Sequence, residues 1–280
     1  MHKLKSFENG FEYIEIKNSL MSAKIALQGA HIFEFKLENR EELLWLSPVS
    51  DFERTKAIRG GIPICWPRFG VLDKDMPAHG FSRTALFKLV EVKEVDARKT
   101  EVIMRLTDDA KTRKIWNYKF ELDVLFTLSD TLKVELISKN RDTKEFMITQ
   151  ALHTYFYISG IADVCIKGLE SREFLDTLID EKQKEESSIS IDAEIDRVYQ
   201  DVNTDIVLLD ARKEINIKSE GSSSVIVWNP WIEKGSDMSG MKSDGYKDFV
   251  CIETANAFDD ARVIKKGDTH TISAEYSLLS

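Results

Sequence analysis

The chain is poor in cysteine, and this scarcity limits how the fold can be held together. Its 280 residues include three cysteines, Cys65, Cys165 and Cys251, which lie far apart and form no C-x-x-C pair. An odd and scattered set of this kind predicts neither a disulfide framework nor a structural zinc site. Such usage is typical of a protein from a reducing compartment.

Long apolar runs and leader-like segments are also missing. No stretch approaches the roughly 18 apolar residues of a membrane span. The first ten residues, MHKLKSFENG, lack the apolar centre of a signal peptide. Together with the cysteine usage, these absences predict a cytoplasmic protein without a membrane partner.

Positive charge is in deficit. The chain carries 39 Lys and Arg residues against 48 Asp and Glu residues, a net charge of -9. Proteins that bind nucleic acids rely on basic surface, so we expect no nucleic-acid partner. An acidic chain that binds an anionic small molecule must concentrate arginine or lysine locally.

Helical periodicity is scarce, and short alternating segments dominate instead. In FELDVLFTL, residues 120–128, every second residue from Phe120 onward is apolar, as in a half-buried strand. Similar segments are 87–95, 100–106, 131–140, 145–158, 163–169, 214–220, 224–229, 249–255 and 270–279. The pattern predicts an all-β protein, a large antiparallel β-sandwich with few short helices, forming a single domain over residues 1–280. Residues 180–187 are interpreted as a helical turn or solvated loop, and 239–249 as the place for one short helix.

One segment departs from simple alternation through its glycines, prolines and arginines. Residues 58–70, IRGGIPICWPRFG, contain at least two of each. The glycines permit unusual backbone conformations, and the prolines stiffen the path. The segment is either a tight structural corner or a rigid binding wall. In the second case, Arg59 and Arg68 would suit phosphate oxygens.

Two histidines stand in unusual surroundings. His79 lies in PAHGFSRT, beside Gly80 and four residues before Arg83, which is equally typical of a surface turn. His153 lies in the aromatic run QALHTYFY, where it is either a satisfied core histidine or a group poised for proton transfer.

Two carboxylates and a tryptophan motif complete the candidates. Glu253 interrupts the apolar strand VCIETANAF, so it either faces solvent or is a buried, functional carboxylate. Asp196 begins DRVY, which is interpreted as a turn entering a strand. The motif WNPW at 228–231 suits stacking on a sugar face or an interlocked corner.

At these residues the chain resembles the aldose 1-epimerase (galactose mutarotase-like) superfamily, and within it the hexose-6-phosphate mutarotase branch. The similarity spans nearly the whole chain. RGGIP, WP and FG followed by HGF-x-R are the features that separate this branch from mutarotases of free sugars. The matching motifs are ALQGAHI (26–32), RGGIPICWPRFG (59–70), AHGFSR (78–83), ALHTYF (151–156), DRVY (196–199), WNPW (228–231) and CIETAN (251–256).

The resemblance implies a fold, a reaction and a set of residue roles. The fold would be the family's β-supersandwich, and the reaction the exchange of α and β anomers of a hexose 6-phosphate, with glucose 6-phosphate foremost. His153 would be the catalytic acid and Glu253 the catalytic base. His79 would bind near the ring oxygen and Asp196 would hold sugar hydroxyls.

The resemblance also implies how the phosphate is bound. Arg59 and Arg83 match positions associated with the phosphate. Members of the branch often carry glutamine or tryptophan at the position of Arg68, so an arginine there could add a phosphate contact or shift selectivity. No cofactor, no metal and a monomeric state are expected.

Three other functions compete with this interpretation. They are a mutarotase of unphosphorylated aldoses, a non-catalytic carbohydrate-binding sandwich, and a metalloenzyme using His79, His153 and Glu253. The last is disfavoured by the lack of a compact motif such as H-E-x-x-H.

Overall fold

The fold is built almost entirely of strands. A computed structural model describes residues 1–71 and 76–279. In chain order its strands are β1 (His2–Ser6), β2 (Glu12–Lys17), β3 (Met21–Ala26), β4 (His31–Leu37), β5 (Ile64–Cys65), β6 (Lys88–Glu94), β7 (Thr100–Thr107), β8 (Phe120–Leu128), β9 (Thr131–Asn140), β10 (Phe146–Ile148), β11 (Gln150–Leu152), β12 (Tyr155–Tyr157), β13 (Cys165–Lys167), β14 (Glu173–Asp176), β15 (Glu181–Lys184), β16 (Ile195–Tyr199), β17 (Ile206–Leu209), β18 (Glu214–Glu220), β19 (Ser224–Asn229), β20 (Phe249–Asn256), β21 (Arg262–Ile264) and β22 (Thr269–Leu278).

Two large antiparallel sheets form the body of the sandwich. One has the order β15-β14-β16-β19-β20-β11-β5, with β12 also paired to β20; we call it the site sheet. The other has the order β13-β17-β18-β22-β9-β8-β7-β6 and is called the outer sheet. A four-stranded sheet, β1 to β4, and the pair β10-β21 complete the architecture.

The core lies between the site sheet and the outer sheet. Strand β9 alternates intermediate and buried residues over its whole length, as expected when one face of a sheet is covered. Buried side chains of both sheets, among them Val134 and Ile252, belong to one apolar cluster. Hydrogen bonds also join the sheets. The Thr154 hydroxyl lies 2.6 Å from the Tyr276 hydroxyl, and Ser219 Oγ lies 2.7 Å from Thr254 Oγ1.

Helices are few and short. The α-helices are α1 (Thr112–Ile115) and α2 (Trp231–Asp237), and 3₁₀ turns occur at Ser82–Thr84, Ile161–Asp163, Gly245–Asp248 and Phe258–Asp260. None of the helices in the described ranges has the length and apolarity to cross a bilayer. The all-β sandwich predicted from alternation is therefore confirmed.

Two local predictions need correction. Residues 180–187 contain the strand β15, with four exposed residues, instead of a helical turn or loop. The run 145–158 is not one strand but three, β10, β11 and β12, because the backbone leaves regular pairing near Thr149 and His153. DRVY lies in β16, and the only helical element within 239–249 of the described chain is the 3₁₀ turn Gly245–Asp248.

Candidate active site

A cavity of about 780 Å³ opens on the face of the site sheet that points away from the main core. Its size is in the range of small-molecule sites, which is about 300–1,000 Å³. It contains six of the seven residues selected from the sequence. These are Arg59, His79, Arg83, His153, Asp196 and Glu253.

Glu253 reaches the cavity through the register at the centre of the site sheet. In β20, Val250 and Ile252 pack into the main core, whereas Cys251 and Ala255 belong to a second cluster. Because side chains alternate along a strand, Glu253 shares the face of Cys251 and Ala255. Its side chain is only 1% exposed, so the solvent-facing alternative does not hold.

His153 enters the same cavity from the break between β11 and β12. Its backbone N–H donates to the carbonyl of Pro63 at 3.0 Å, which fixes the chain where regular pairing stops. The imidazole stacks on the Tyr155 ring at 5.0 Å between centroids and 11° between planes. The edge of Trp228 approaches it at 5.7 Å.

The two side chains form a close acid–base pair. His153 Nε2 lies 3.3 Å from Glu253 Oε1. Burial lowers the pKa of His153 well below its ordinary value, and His79 adds to the effect. Burial raises the pKa of Glu253 well above that of an ordinary carboxyl group, and Asp196 adds to this. Burial thus disfavours the charged form of both groups and favours a neutral imidazole beside a protonated carboxyl group.

Each member of the pair also presents a polar atom without a protein partner. Within the described ranges, neither His153 Nδ1 nor Glu253 Oε2 makes a hydrogen bond, although both are buried. Buried polar atoms are almost always paired in folded proteins, and exceptions concentrate at functional sites. The pair can therefore exchange protons with hydroxyl groups of a bound molecule.

His79 is held against this pair by an unusual backbone. It adopts φ of 62°, a left-handed conformation that is uncommon for a residue other than glycine. Its Nδ1 accepts the Gly70 N–H at 3.3 Å, so in the neutral ring the proton lies on Nε2. Burial, followed by Arg83, lowers the pKa of His79 to about 4. The ring centroid lies 5.6 Å from that of His153, and the neutral ring can donate one hydrogen bond.

Two arginines, Arg59 and Arg83, bring positive charge to the cavity. Arg59 Nη1 donates to the Tyr155 hydroxyl at 3.3 Å, and Arg83 Nη2 donates to the Ala78 carbonyl at 2.8 Å. Among residues 1–71 and 76–279, neither arginine forms an ion pair with a carboxylate. Their charge is thus available to an anion despite the acidic composition of the chain.

Asp196 lines the same cavity from β16. In the site sheet Asp196 pairs with Trp228, and Trp228 pairs with Cys251. Glu253 lies two residues beyond Cys251, on the same face of the sheet. Burial raises the pKa of Asp196, and Lys234 opposes that rise. Lys234 Nζ also pairs with Glu194 Oε1 at 2.9 Å. A carboxylate and an ammonium group together suit the hydroxyls of a polyol.

The seventh residue, Arg68, is not among the cavity-lining residues of the described chain. Its Nη1 donates to the carbonyls of Pro67 and Met147, which turns the guanidinium toward backbone groups. The structure therefore does not bring Arg68 together with Arg59 and Arg83.

Sequence reasoning missed three polar residues of the lining, Thr149, Lys234 and Thr177. Lys234 lies on α2, and its proximity to the WNPW motif was the one signal that could have drawn attention to it. Thr177 follows β14, and its hydroxyl donates to the Asp196 carbonyl at 3.0 Å. No sequence pattern marks it. Within the part of the chain that the structure describes, no three His, Cys, Asp or Glu side chains converge as metal ligands.

The cavity thus holds a buried His–Glu pair together with a further carboxylate and cationic side chains, a set of polar groups suited to a small hydroxylated molecule. The family model for aldose 1-epimerase matches residues 12–277, nearly the whole chain. The chain therefore belongs to the aldose 1-epimerase family.

Curated relatives share most of their length with this chain. Four of them bear the name "Putative glucose-6-phosphate 1-epimerase". The one from Escherichia coli K12 is 36% identical over 264 residues, covering 92% of this chain and 88% of its own. The one from Cenchrus ciliaris is 33% identical over 260 residues, covering 88% and 78%.

Solved structures place the fold in the same family. The crystal structure of YeaD from Salmonella typhimurium, described as a putative mutarotase, superposes with a TM-score of 0.93 at 30% identity, over 99% of this chain and 93% of that one. A galactose mutarotase-related enzyme from Lactobacillus acidophilus gives a TM-score of 0.75 at 17% identity, over 96% and 97%. The predicted galactose mutarotase-like supersandwich is confirmed.

Proposed function

We propose that this protein is a mutarotase that interconverts the α and β anomers of a hexose 6-phosphate, with glucose 6-phosphate as its main substrate. The observation that carries the proposal is the His153–Glu253 contact of 3.3 Å in a cavity that also contains Arg59 and Arg83. The names of the relatives described above support the same activity. The reaction needs only proton transfer, so no cofactor is required. A cytoplasmic location is proposed with it, because sugar phosphates are intracellular metabolites.

The chemistry assigned to the pair is ring opening followed by closure. Glu253, as carboxylate, takes the proton of the anomeric hydroxyl, and His153, as imidazolium, gives a proton to the ring oxygen. The C1–O5 bond breaks to leave an open aldehyde. Rotation about C1–C2 then exposes the other carbonyl face. As the ring closes the roles reverse: His153 takes the proton from O5, and Glu253 returns its proton to the carbonyl oxygen.

The remaining polar residues bind and orient the sugar. His79, through Nε2–H, is suited to an oxygen near the ring, and Asp196 is suited to hydroxyl groups of the sugar. Trp228 supplies an apolar surface of the kind on which a sugar face packs. These groups need only hold the reacting atoms against His153 and Glu253.

Arg59 and Arg83 are assigned to the phosphate group. Arginine suits phosphate because its planar fork can donate two parallel, charge-assisted hydrogen bonds. Both arginines lack carboxylate partners within the described ranges, so binding a phosphate would not require an ion pair to be broken. Arg68 is assigned no contact with the phosphate group.

The substrate assignment is tested by measuring anomerisation of glucose 6-phosphate, galactose 6-phosphate, mannose 6-phosphate and glucose side by side, for the wild type and for Arg59→Ala. We expect the variant to raise KM for glucose 6-phosphate roughly 10- to 100-fold, the scale of a hydrogen bond to a charged group. KM for free glucose should change far less.

A matched control is Arg98→Ala, which removes one positive charge from an exposed position outside the cavity. It should leave both KM values unchanged. Equal effects of Arg59→Ala on glucose and glucose 6-phosphate would contradict the phosphate role and favour a mutarotase of free sugars. Sugar binding without faster anomerisation would favour a non-catalytic binding module.

A further inference from the structure

Each of the two cavity arginines is connected to the imidazole of His153 through an intervening group. A phosphate bound by the arginines can therefore affect the imidazole as well. On one side, Arg59 Nη1 donates to the Tyr155 hydroxyl at 3.3 Å. The Tyr155 ring in turn stacks on His153 with centroids 5.0 Å apart and planes 11° apart. A movement of the Arg59 guanidinium can therefore shift the Tyr155 ring, which stacks on the His153 imidazole.

The second connection runs through the His79 loop. Arg83 Nη2 donates to the carbonyl of Ala78 at 2.8 Å, directly before His79 in the chain. The His79 ring then contacts the His153 ring at 5.6 Å between centroids. The left-handed φ of 62° at His79 is of the kind that persists only where surrounding contacts impose it, and the bond from Arg83 to Ala78 is one such contact.

The charges of the arginines also act on the imidazole. After burial and His79, the positive charges of Arg83 and Arg59 are the next causes that lower the pKa of His153. The same two charges lower the pKa of His79. The imidazolium form that would protonate the ring oxygen is thus disfavoured as long as both guanidinium charges stand uncompensated. A phosphate dianion bound between them would offset that charge.

We propose that phosphate bound by Arg59 and Arg83 activates the His153–Glu253 pair, so that free inorganic phosphate accelerates the anomerisation of unphosphorylated glucose by this protein. The inference rests on the proposed function and deepens it. The phosphate group becomes an activator of the chemical step, and it need not be covalently attached to the sugar to act. Tyr155 is in this account a positioning residue, since it acts through His153.

The experiment measures glucose anomerisation at pH 7.5 with inorganic phosphate from zero to saturation, at constant ionic strength maintained with chloride. Because phosphate buffers themselves catalyse the exchange by general acid–base chemistry, the rate without enzyme is subtracted at each concentration. We expect kcat/KM for glucose to rise about tenfold and to saturate, the effect of a tenfold change in the protonation equilibrium of one group.

Variants assign the effect to the proposed contacts. Arg59→Ala and Arg83→Ala should abolish the activation, and Arg98→Ala should retain it. Tyr155→Phe keeps the stacked ring but removes the hydroxyl, so it should lower the ratio of rates with and without phosphate several-fold. Circular dichroism of each variant checks that it is folded.

The possible outcomes separate this inference from the proposed function. If glucose 6-phosphate is turned over but phosphate leaves glucose turnover unchanged or inhibits it, the activation is wrong while the mutarotase assignment stands. Activation that persists in both arginine variants would overturn the assigned site. If neither glucose 6-phosphate nor glucose with phosphate is anomerised faster than in buffer, both proposals fail.

Discussion

Glu253 and His153 are each buried more deeply than an ionisable side chain usually is, with 1% and 9% of their surface exposed. Burying either charge alone would be costly. At 3.3 Å the two groups are close enough to pass a proton between them, and a pair that holds one proton places no net charge in the cavity. This arrangement explains how a proton-transfer reaction can use two residues whose charged forms are both disfavoured.

The protonation of His153 gives a direct prediction. Since burial lowers its pKa well below 6.5, the ring of the ligand-free protein should gain no proton as pH falls from 7 to 5.5. The imidazole resonances of the five histidines can be followed by NMR across this range, with His153→Ala to identify the signal. A midpoint at or above 6.5 for His153 would contradict the buried-pair description.

At the level of the elements, the sequence predicted strands best where alternation is long. Residues 120–128, 131–140 and 214–220 were predicted with the bounds that β8, β9 and β18 have. The strand β15 was missed because all four of its side chains are exposed, which removes the apolar period. Only its pairing with β14 makes it a strand, and such pairing is not visible in the local sequence.

The candidate site shows the same limit. Local pattern could not decide whether Glu253 faces the cavity or solvent, because the answer depends on its register opposite Ile226 in β19. The resemblance to a family selected His153, Glu253 and both cavity arginines. It could not show that Arg68 turns toward the carbonyls of Pro67 and Met147.

The loop that carries His79 gives a prediction about an element. Gly80 has φ of +73°, and a Cβ there would lie 2.1 Å from the Trp66 carbonyl oxygen. Gly80→Ala should therefore combine left-handed strain with a backbone clash and destabilise the protein by about 3 kcal/mol or more. The free energy of unfolding is measured by urea denaturation.

Gly267 is the matched control for that substitution. It has φ of +83°, and a Cβ added there would meet no atom within 4 Å, so Gly267→Ala carries the strain without the clash. Its cost should be about 1–2 kcal/mol. Equal costs for the two variants would show that close packing of Gly80 against Trp66 does not hold the loop.

At the scale of the whole molecule, charged edge strands predict a monomer. One edge strand of each of the three larger sheets is rich in lysine and glutamate or carries lysines: β1, β6 and β15 have the sequences HKLKS, KLVEVKE and EKQK. Lysines on an edge oppose pairing with a second chain. Sedimentation equilibrium should give a mass of 32.1 kDa at all protein concentrations tested.

Replacing the lysines of an edge strand tests whether they keep the protein monomeric. The double variant Lys182→Val and Lys184→Val should increase self-association, because it removes the two positive charges of β15 and raises its strand propensity. A wild-type mass of twice the chain mass would contradict the prediction of a monomer.

The central claim is that the His153–Glu253 pair exchanges the anomers of a hexose 6-phosphate. NMR exchange spectroscopy on the C1 protons of glucose 6-phosphate measures both directions of that exchange at equilibrium, for the wild type, Glu253→Gln and His153→Ala. We expect the wild type to accelerate exchange far above the buffer rate, and each variant to lose roughly 10²- to 10⁴-fold in kcat while remaining folded. Exchange by the wild type at the buffer rate, or a loss of only a few-fold in both variants, would contradict the claim.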